Sequence, residues 1–186
     1  MELSRRLPRS FYQRETTLVA RDLLGCHLVH VVEGVERIGK IVEVEAYLGV
    51  QDLAAHSSKG LTARTRLLFG APGHAYVYLV YGIYWCMNVV TEPEGNACGV
   101  LFRAIEPVQN VAGRTQGPGL LCRAMQIDKE LNGHDMVSED FFIAANPAAE
   151  PPEIVVTPRI GVAYAGAWAG EPLRFYLKGN RFVSRP

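Results

Sequence analysis

Residues 38–47 read Ile38-Gly39-Lys40-Ile41-Val42-Glu43-Val44-Glu45-Ala46-Tyr47. From Val42 onward the pattern repeats every two residues: Val42, Val44 and Ala46 fall on one side, Glu43, Glu45 and Tyr47 on the other. A strand sends successive side chains to opposite faces. The stretch is therefore expected to be a strand with one face on a core and one face bearing carboxylates. Upstream, residues 26–32 read as a partner strand, joined to it through Glu33-Gly34. Before that, residues 15–24 form a short helix, with Leu18, Leu23 and Leu24 apolar and Gly25 placed to stop it.

Downstream, residues 48–73 are mostly loop with short helical turns, long for a connection inside a domain and so marked as functional or mobile. Residues 75–90 form two strands with a bend near Tyr81-Gly82. Tyr76 and Tyr78 share one face, opposite Val77 and Leu79. Gly82 frees the backbone for a turn that pushes Tyr81 outward at the tip. Residues 97–105 are a further strand, Gly117-Pro118-Gly119 opens a helix, and residues 154–157 and 173–177 are short strands among Gly- and Pro-rich turns. The expected fold class is α+β: a single mixed domain over residues 1–186 with a curved antiparallel β-sheet, peripheral helices and a protruding β-hairpin.

The composition is that of an ordered domain, 48% hydrophobic and 20% charged, in a chain long enough for one substantial core. Lys+Arg and Asp+Glu are each 19, so net charge does not advertise a nucleic-acid partner. Its distribution is uneven. Residues 127–153 hold seven acids and one Lys, residues 159–186 hold five basic residues against Glu171, and residues 53–90 hold no acid at all. Such segregation allows a basic face on a neutral protein. Cys26, Cys86, Cys98 and Cys122 show no CxxC spacing, which argues against zinc and for a reducing compartment. Residues 1–10 are polar and basic with no apolar stretch behind them, and no run is long enough to span a bilayer. The expected location is intracellular, cytoplasmic and nucleoid-associated if the source is bacterial, with no membrane partner.

Glu45 is the candidate general base: a carboxylate on the face away from the core can deprotonate a water attacking an electron-poor carbon. A solvated strand glutamate is the plainer alternative. Glu43 lies about 7 Å along the same face, a spacing that resembles the carboxylate pairs of sugar hydrolases, but it reads better as a surface charge. His56, Tyr47, Tyr76 and Tyr78 are either structural residues or the walls of a base-stacking pocket. Electron-rich rings favour a cationic base, and each stacked base contributes about 1–3 kcal/mol. An outward Tyr81 would fill the hole left by a flipped nucleotide. Asn88, past the aromatic run, is placed to discriminate purines or merely to end a strand. Arg103 is a cation among apolar residues on a strand, with Glu45 its candidate partner. The helix start at Gly117 and Gly119 offers free amides suited to a phosphate.

These segments resemble the alkyladenine (3-methyladenine) DNA glycosylase family. The resemblance runs through Ile41-Val42-Glu43-Val44-Glu45-Ala46-Tyr47-Leu48-Gly49 with Asp52 and Ala54-Ala55-His56-Ser57. It continues in Tyr76-Val77-Tyr78-Leu79-Val80-Tyr81-Gly82-Ile83-Tyr84-Trp85-Cys86-Met87-Asn88, Leu101-Phe102-Arg103-Ala104-Ile105-Glu106-Pro107, Gly117-Pro118-Gly119 and Pro172-Leu173-Arg174-Phe175-Tyr176. It implies a monofunctional enzyme that flips a damaged purine from double-stranded DNA and hydrolyses its N-glycosidic bond, with no metal, no organic cofactor and no Schiff-base lysine. Glu45 then activates water, helped by Arg103. Tyr47, His56 and Tyr78 form the base pocket, Asn88 restricts guanine, and Tyr81 is the wedge, with Ile83 beside it; Tyr76, on the same strand face as Tyr78, is expected to join the pocket. Arg64, Arg66, Gly117, Gly119 and Lys129 are the expected backbone contacts. Leu120 departs from the basic residue common after Gly117-Pro118-Gly119, and Ala63 from the proline usual before the arginine matching Arg64. No association motif is present, so a monomer is expected.

Two rival readings make different demands. A non-catalytic nucleic-acid-binding module would use the tyrosines as a stacking platform and would not need Glu45. A nucleosidase using Glu43 and Glu45 as its pair would act on free nucleosides and be indifferent to Tyr81.

Overall fold

The computed structural model describes residues 6–146 and 152–186. Part of the polar N-terminal segment, and Glu150 of the acidic stretch, lie outside the described residues. In chain order the elements are α1 (Arg9–Tyr12), α2 (Thr16–Leu23), β1 (His27–Val32), β2 (Val35–Tyr47), β3 (Ala75–Val80), β4 (Tyr84–Thr91), β5 (Cys98–Gln109), α3 (Pro118–Met125), β6 (Phe141–Ala144), β7 (Ile154–Thr157) and β8 (Arg174–Leu177). The eight strands form one antiparallel sheet in the order β3-β4-β5-β2-β1-β6, with β8 joined to β2 and β7 to β8. The α+β class, the curled antiparallel sheet and the protruding hairpin are as expected. Strand β6 and helix α1 are additions that the sequence reading did not anticipate.

Strand β2 organises the sheet. Along one edge it pairs with β5 from Ile38 opposite Gln109 to Tyr47 opposite Gly99. Along the other edge its first half pairs with β1, and its second half pairs with β8, Glu43 facing Tyr176 and Glu45 facing Arg174. The handover occurs where the chain turns at Gly25, whose N–H donates to the Ile41 carbonyl at 2.8 Å. The β2–β5 register shifts on both sides of Glu43, a bulge, and bulges bend a strand and re-aim its side chains. This corrects the simple alternation. Val42 does not join Val44 and Ala46 but packs with Ala104 and Val183, while Val44 and Ala46 enter the main core.

That core lies between the sheet and its helices: Val19, Ala20 and Leu23 of α2 and Leu121, Cys122 and Met125 of α3 cover Ile41, Val44, Phe102 and Phe175. Removing an aliphatic or aromatic side chain from water stabilises the fold by about 1.5–3 kcal/mol per residue, which is why these short helices persist. Helix α2 is capped by Glu15, whose carboxylate accepts from the Thr17 and Leu18 amides, both at 3.0 Å. Leu18, counted above among its apolar residues, faces outward. Helix α3 starts with Gly117 at φ 145°, followed by Pro118, whose fixed φ suits a first helical turn.

The hairpin tip has positive φ at both Tyr81 (52°) and Gly82 (71°), the sense of turn that follows the twist of paired strands. Tyr81 is 91% exposed and Ile83 65%. Helix α3 is pressed against this hairpin close to its tip: a Cβ on Gly119 would sit 2.6 Å from Cδ1 of Tyr84, the first residue of β4. Replacing Gly119 by Ala should therefore displace Tyr84 and cost about 1–3 kcal/mol, the usual range for overpacking. Urea unfolding of Gly119→Ala checks this; an unchanged midpoint would show that α3 and the hairpin are not in rigid contact.

Candidate active site

The face of β2 that carries Glu45 forms the floor of a cavity of about 320 Å³. Its walls come from β3 and β4 (Tyr76, Tyr78, Asn88), from the turn containing His56, from Arg103 on β5, and from the segment Ile160, Gly161 and Val162. The antiparallel register explains the gathering. Glu45 lies opposite Leu101 on β5, Leu101 opposite Asn88 on β4, and Asn88 opposite Tyr76 on β3. Tyr81 touches the cavity mouth and so does Pro118 at the start of α3.

Glu45 is fully buried. Its Oε2 accepts from the Tyr47 hydroxyl at 2.9 Å, its Oε1 from the Ile160 amide at 2.8 Å, and Arg103 Nη1 stands 3.4 Å from Oε1. A charge removed from water must find such partners. Glu43 corrects the expectation of a surface charge: it has no exposed surface. Its Oε1 accepts from Arg103 Nε at 3.1 Å, Arg174 Nε at 3.0 Å and Ser184 Oγ at 2.9 Å, and its Oε2 from the Ser184 amide at 2.6 Å. Arg103 thus spans both carboxylates, and the nearer of the two is Glu43 rather than the expected Glu45.

The aromatic wall is cross-braced. His56 Nδ1 lies 3.0 Å from the Tyr76 hydroxyl, its ring 4.4 Å from that of Tyr78, and the Tyr76 and Tyr78 rings are 5.3 Å apart. Asn88 Nδ2 donates to the Tyr76 carbonyl at 3.2 Å, which fixes its amide. Tyr47 and Tyr78 have raised pKa values, chiefly through burial and in part through the Glu45 charge, so both keep their hydroxyl protons. Burial, and then the Arg64 cation, lower that of His56, leaving a neutral imidazole at neutral pH.

Arg64 sits 5.5 Å above the Tyr78 ring and lines a second cavity of about 570 Å³ together with Lys59, Thr62 and Thr65; this cavity shares Ala54, Ala55, His56 and Tyr164 with the first. Lys59, Arg64 and Arg66 are exposed, and among the described residues no carboxylate pairs with them. Gly117 and Gly119 flank the cavity-lining Pro118 at the start of α3. Arg66 and Lys129 line neither cavity, and the Lys129 ammonium, 3.8 Å from Glu130, is exposed.

Several residues of the site went unread in the sequence. Arg159 is buried, donates to Asp52 through both Nη atoms (2.5 and 2.9 Å) and to the Ala46 carbonyl, and lies 4.7 Å from the Tyr47 ring. Asp52 in turn accepts from the Leu48 and Ala54 amides. One ion pair thereby anchors the loop after β2, the Tyr47 ring and the residue preceding Ile160. Arg174, between Leu173 and Phe175, carried the same signal that singled out Arg103: a lone cation among apolar residues on a strand. The Ile160 amide and Ser184 had none.

Residues 10–181 match the family model described as methylpurine-DNA glycosylase. The chain is 59% identical over 181 residues to a Legionella pneumophila (strain Corby) protein named "Putative 3-methyladenine DNA glycosylase", covering 97% of this chain and 99% of that one. Proteins of the same name from Anaeromyxobacter dehalogenans (strain 2CP-1) and Myxococcus xanthus (strain DK1622) are 52% and 46% identical, covering 97% and 96% of this chain and 86% and 93% of theirs.

Two measurements test the geometry. Asp52→Asn leaves a buried guanidinium uncompensated and should cost about 3–5 kcal/mol in chemical denaturation, against about 0.2–1 kcal/mol for cutting the exposed Lys178–Glu153 pair. NMR titration should find His56 protonating below the ordinary imidazole range, and Arg64→Ala should move it only part of the way back, because burial is the larger cause. Full return to the ordinary value would reverse that order.

Proposed function

The chain belongs to the methylpurine-DNA glycosylase family, and from that premise we propose that it turns a damaged purine out of duplex DNA and hydrolyses its N-glycosidic bond with a water activated by Glu45. The single observation that carries this reading is a carboxylate, bonded to Tyr47 and to the Ile160 amide, at the floor of a cavity walled by Tyr76, Tyr78 and His56. The water gives a proton to Glu45 and its oxygen bonds to C1′ of the sugar. The C1′–N bond breaks, its electron pair leaves with the base, and an abasic site remains. With a cationic base such as 3-methyladenine or 7-methylguanine, departure neutralises the leaving group, so no acid need protonate it. A general base contributes about 10²–10⁴-fold, the share assigned to Glu45. Arg103 holds the carboxylate and the water.

Tyr47, Tyr76, Tyr78 and His56 receive the flipped base, their ring faces favouring a positive charge. Asn88, fixed on the Tyr76 carbonyl, restricts guanine. Tyr81, exposed at the hairpin tip, fills the gap left in the duplex, with Ile83 beside it. The basic stretch with Arg64 and Arg66, the Gly119 amide and Lys129 hold the phosphates, an affinity that salt would weaken; the Gly117 amide, expected to be free, donates instead to the Thr115 carbonyl at 3.2 Å. Among the described residues no helix is long and apolar enough to cross a membrane. The protein acts as a monomer inside the cell.

Single-turnover excision from a duplex carrying one modified purine tests the reading. Wild type should release the base, and Glu45→Gln should lose about 10²–10⁴-fold in rate while still binding the duplex. Binding without excision of any lesion by wild type would leave a damage-binding module instead. Tyr81→Ala should slow excision from paired duplex more than from a single strand, where there is no stack to fill.

A further inference from the structure

Glu43 and Glu45 stand two residues apart on β2, both fully buried, and both face the guanidinium of Arg103. One cation against two carboxylates leaves a buried negative charge, an expensive arrangement unless another positive group completes it. Arg174 is that group. It projects from β8 on the opposite edge of β2 from Arg103, its Nε 3.0 Å from Glu43 Oε1, and its side chain is 7% exposed. It lies over the Tyr176 ring at 4.9 Å and donates through Nη2 to the Arg185 carbonyl. The four charges sum to zero only when it is counted.

Resting on the glycosylase reading above, we infer that Arg174 is a positioning residue for catalysis: by satisfying Glu43 it leaves the charge of Arg103 free to serve Glu45. The geometry gives the order of the contacts. Arg103 offers Nε to Glu43 in a hydrogen bond of 3.1 Å, whereas Nη1 reaches Glu45 at 3.4 Å in an ion pair that is not a formed hydrogen bond. Glu43 is therefore the stronger competitor for Arg103. Without Arg174, Glu43 would draw Arg103 wholly to itself and Glu45 would lose its cation. Ser184 contributes too, its amide donating to Glu43 Oε2 and its hydroxyl to Oε1, with that hydroxyl 3.5 Å from Arg103 Nη2. Arg174 touches no residue assigned to the base, so it acts through Glu43 and Arg103 and not on substrate.

The test is charge rescue. Single-turnover excision and lesion-duplex binding are measured for wild type, Glu45→Gln, Arg174→Met, Arg174→Lys and the double variant Arg174→Met/Glu43→Gln. Arg174→Met should lose roughly tenfold or more in rate, part of the share of a general base, with duplex binding within about twofold of wild type. Arg174→Lys, which keeps the charge, should recover most of the rate. So should the double variant, in which the unpaired carboxylate is gone as well. Circular dichroism of each variant shows that the comparison is among folded proteins, and the Lys variant carries it if the Met variant does not fold. Excision by wild type that is lost in Glu45→Gln but undiminished in Arg174→Met would overturn this inference alone. So would a double variant no faster than Arg174→Met, because loss of packing gains nothing from neutralising Glu43. No excision by wild type would overturn the glycosylase reading and the inference with it.

Discussion

Two carboxylates in the middle of a sheet are tolerated only because two guanidiniums reach them from either side. Glu43 and Glu45 on β2 meet Arg103 from β5 and Arg174 from β8, and this neutral cluster is the constraint around which the site is built. It needs β2 to have neighbours on both edges at that point, which the handover from β1 to β8 supplies. It also needs Glu43 aimed at the same side as Glu45, which the two-residue period of the strand supplies, while the bulge beside Glu43 turns Val42 out of the main core. Replacing such a cluster by well-packed apolar residues commonly leaves a protein as stable or more so. Its presence points to chemistry and not to the stability of the fold.

Around that centre the charges are arranged in the opposite way. Inside, cations and anions are matched: Arg103 and Arg174 with the glutamates, Arg159 with Asp52. Outside, Lys59, Arg64 and Arg66 are exposed without carboxylate partners among the described residues, along a segment that holds no acid. Matched charge inside fixes geometry, while unmatched charge outside is available to a polyanion. The aromatic wall lies between the two, and the Arg64 guanidinium lies over one of its rings, Tyr78.

Much of the site was legible because its residues lie on strands whose period could be read. Glu45, Tyr76, Tyr78 and the outward Tyr81 follow from alternation and from a single turn, and the structure gathers them at one cavity. The resemblance to a glycosylase family rested on those same runs. Glu43 was misread because periodicity tells which face a side chain takes, not whether that face is covered. Its cover comes from β8 and Ser184, far along the chain. Val42 was misassigned because a bulge has no signature in the alternation it interrupts. Arg159 and the Ile160 amide were invisible for a related reason: a backbone donor carries no residue type, and an arginine in a loop shows its partner only in three dimensions.

The splitting of one edge of β2 between two strands has a consequence for how the molecule comes into being. Strand β1 is next to β2 in sequence and can zip up with it as a local hairpin. The second half of the same edge must wait for residues 174–177, and the carboxylates wait for Ile160 and Ser184 as well. Contacts of such separation carry a large loop-closure entropy and form late. A chain emerging from the ribosome would thus hold two acids in an incomplete strand while most of the sheet was already assembled. The carboxylate cluster would be complete only with the last of these segments to dock, so a molecule cut before residue 174 would keep its exposed basic segment while lacking Arg174, one of the two groups that neutralise Glu43 and Glu45.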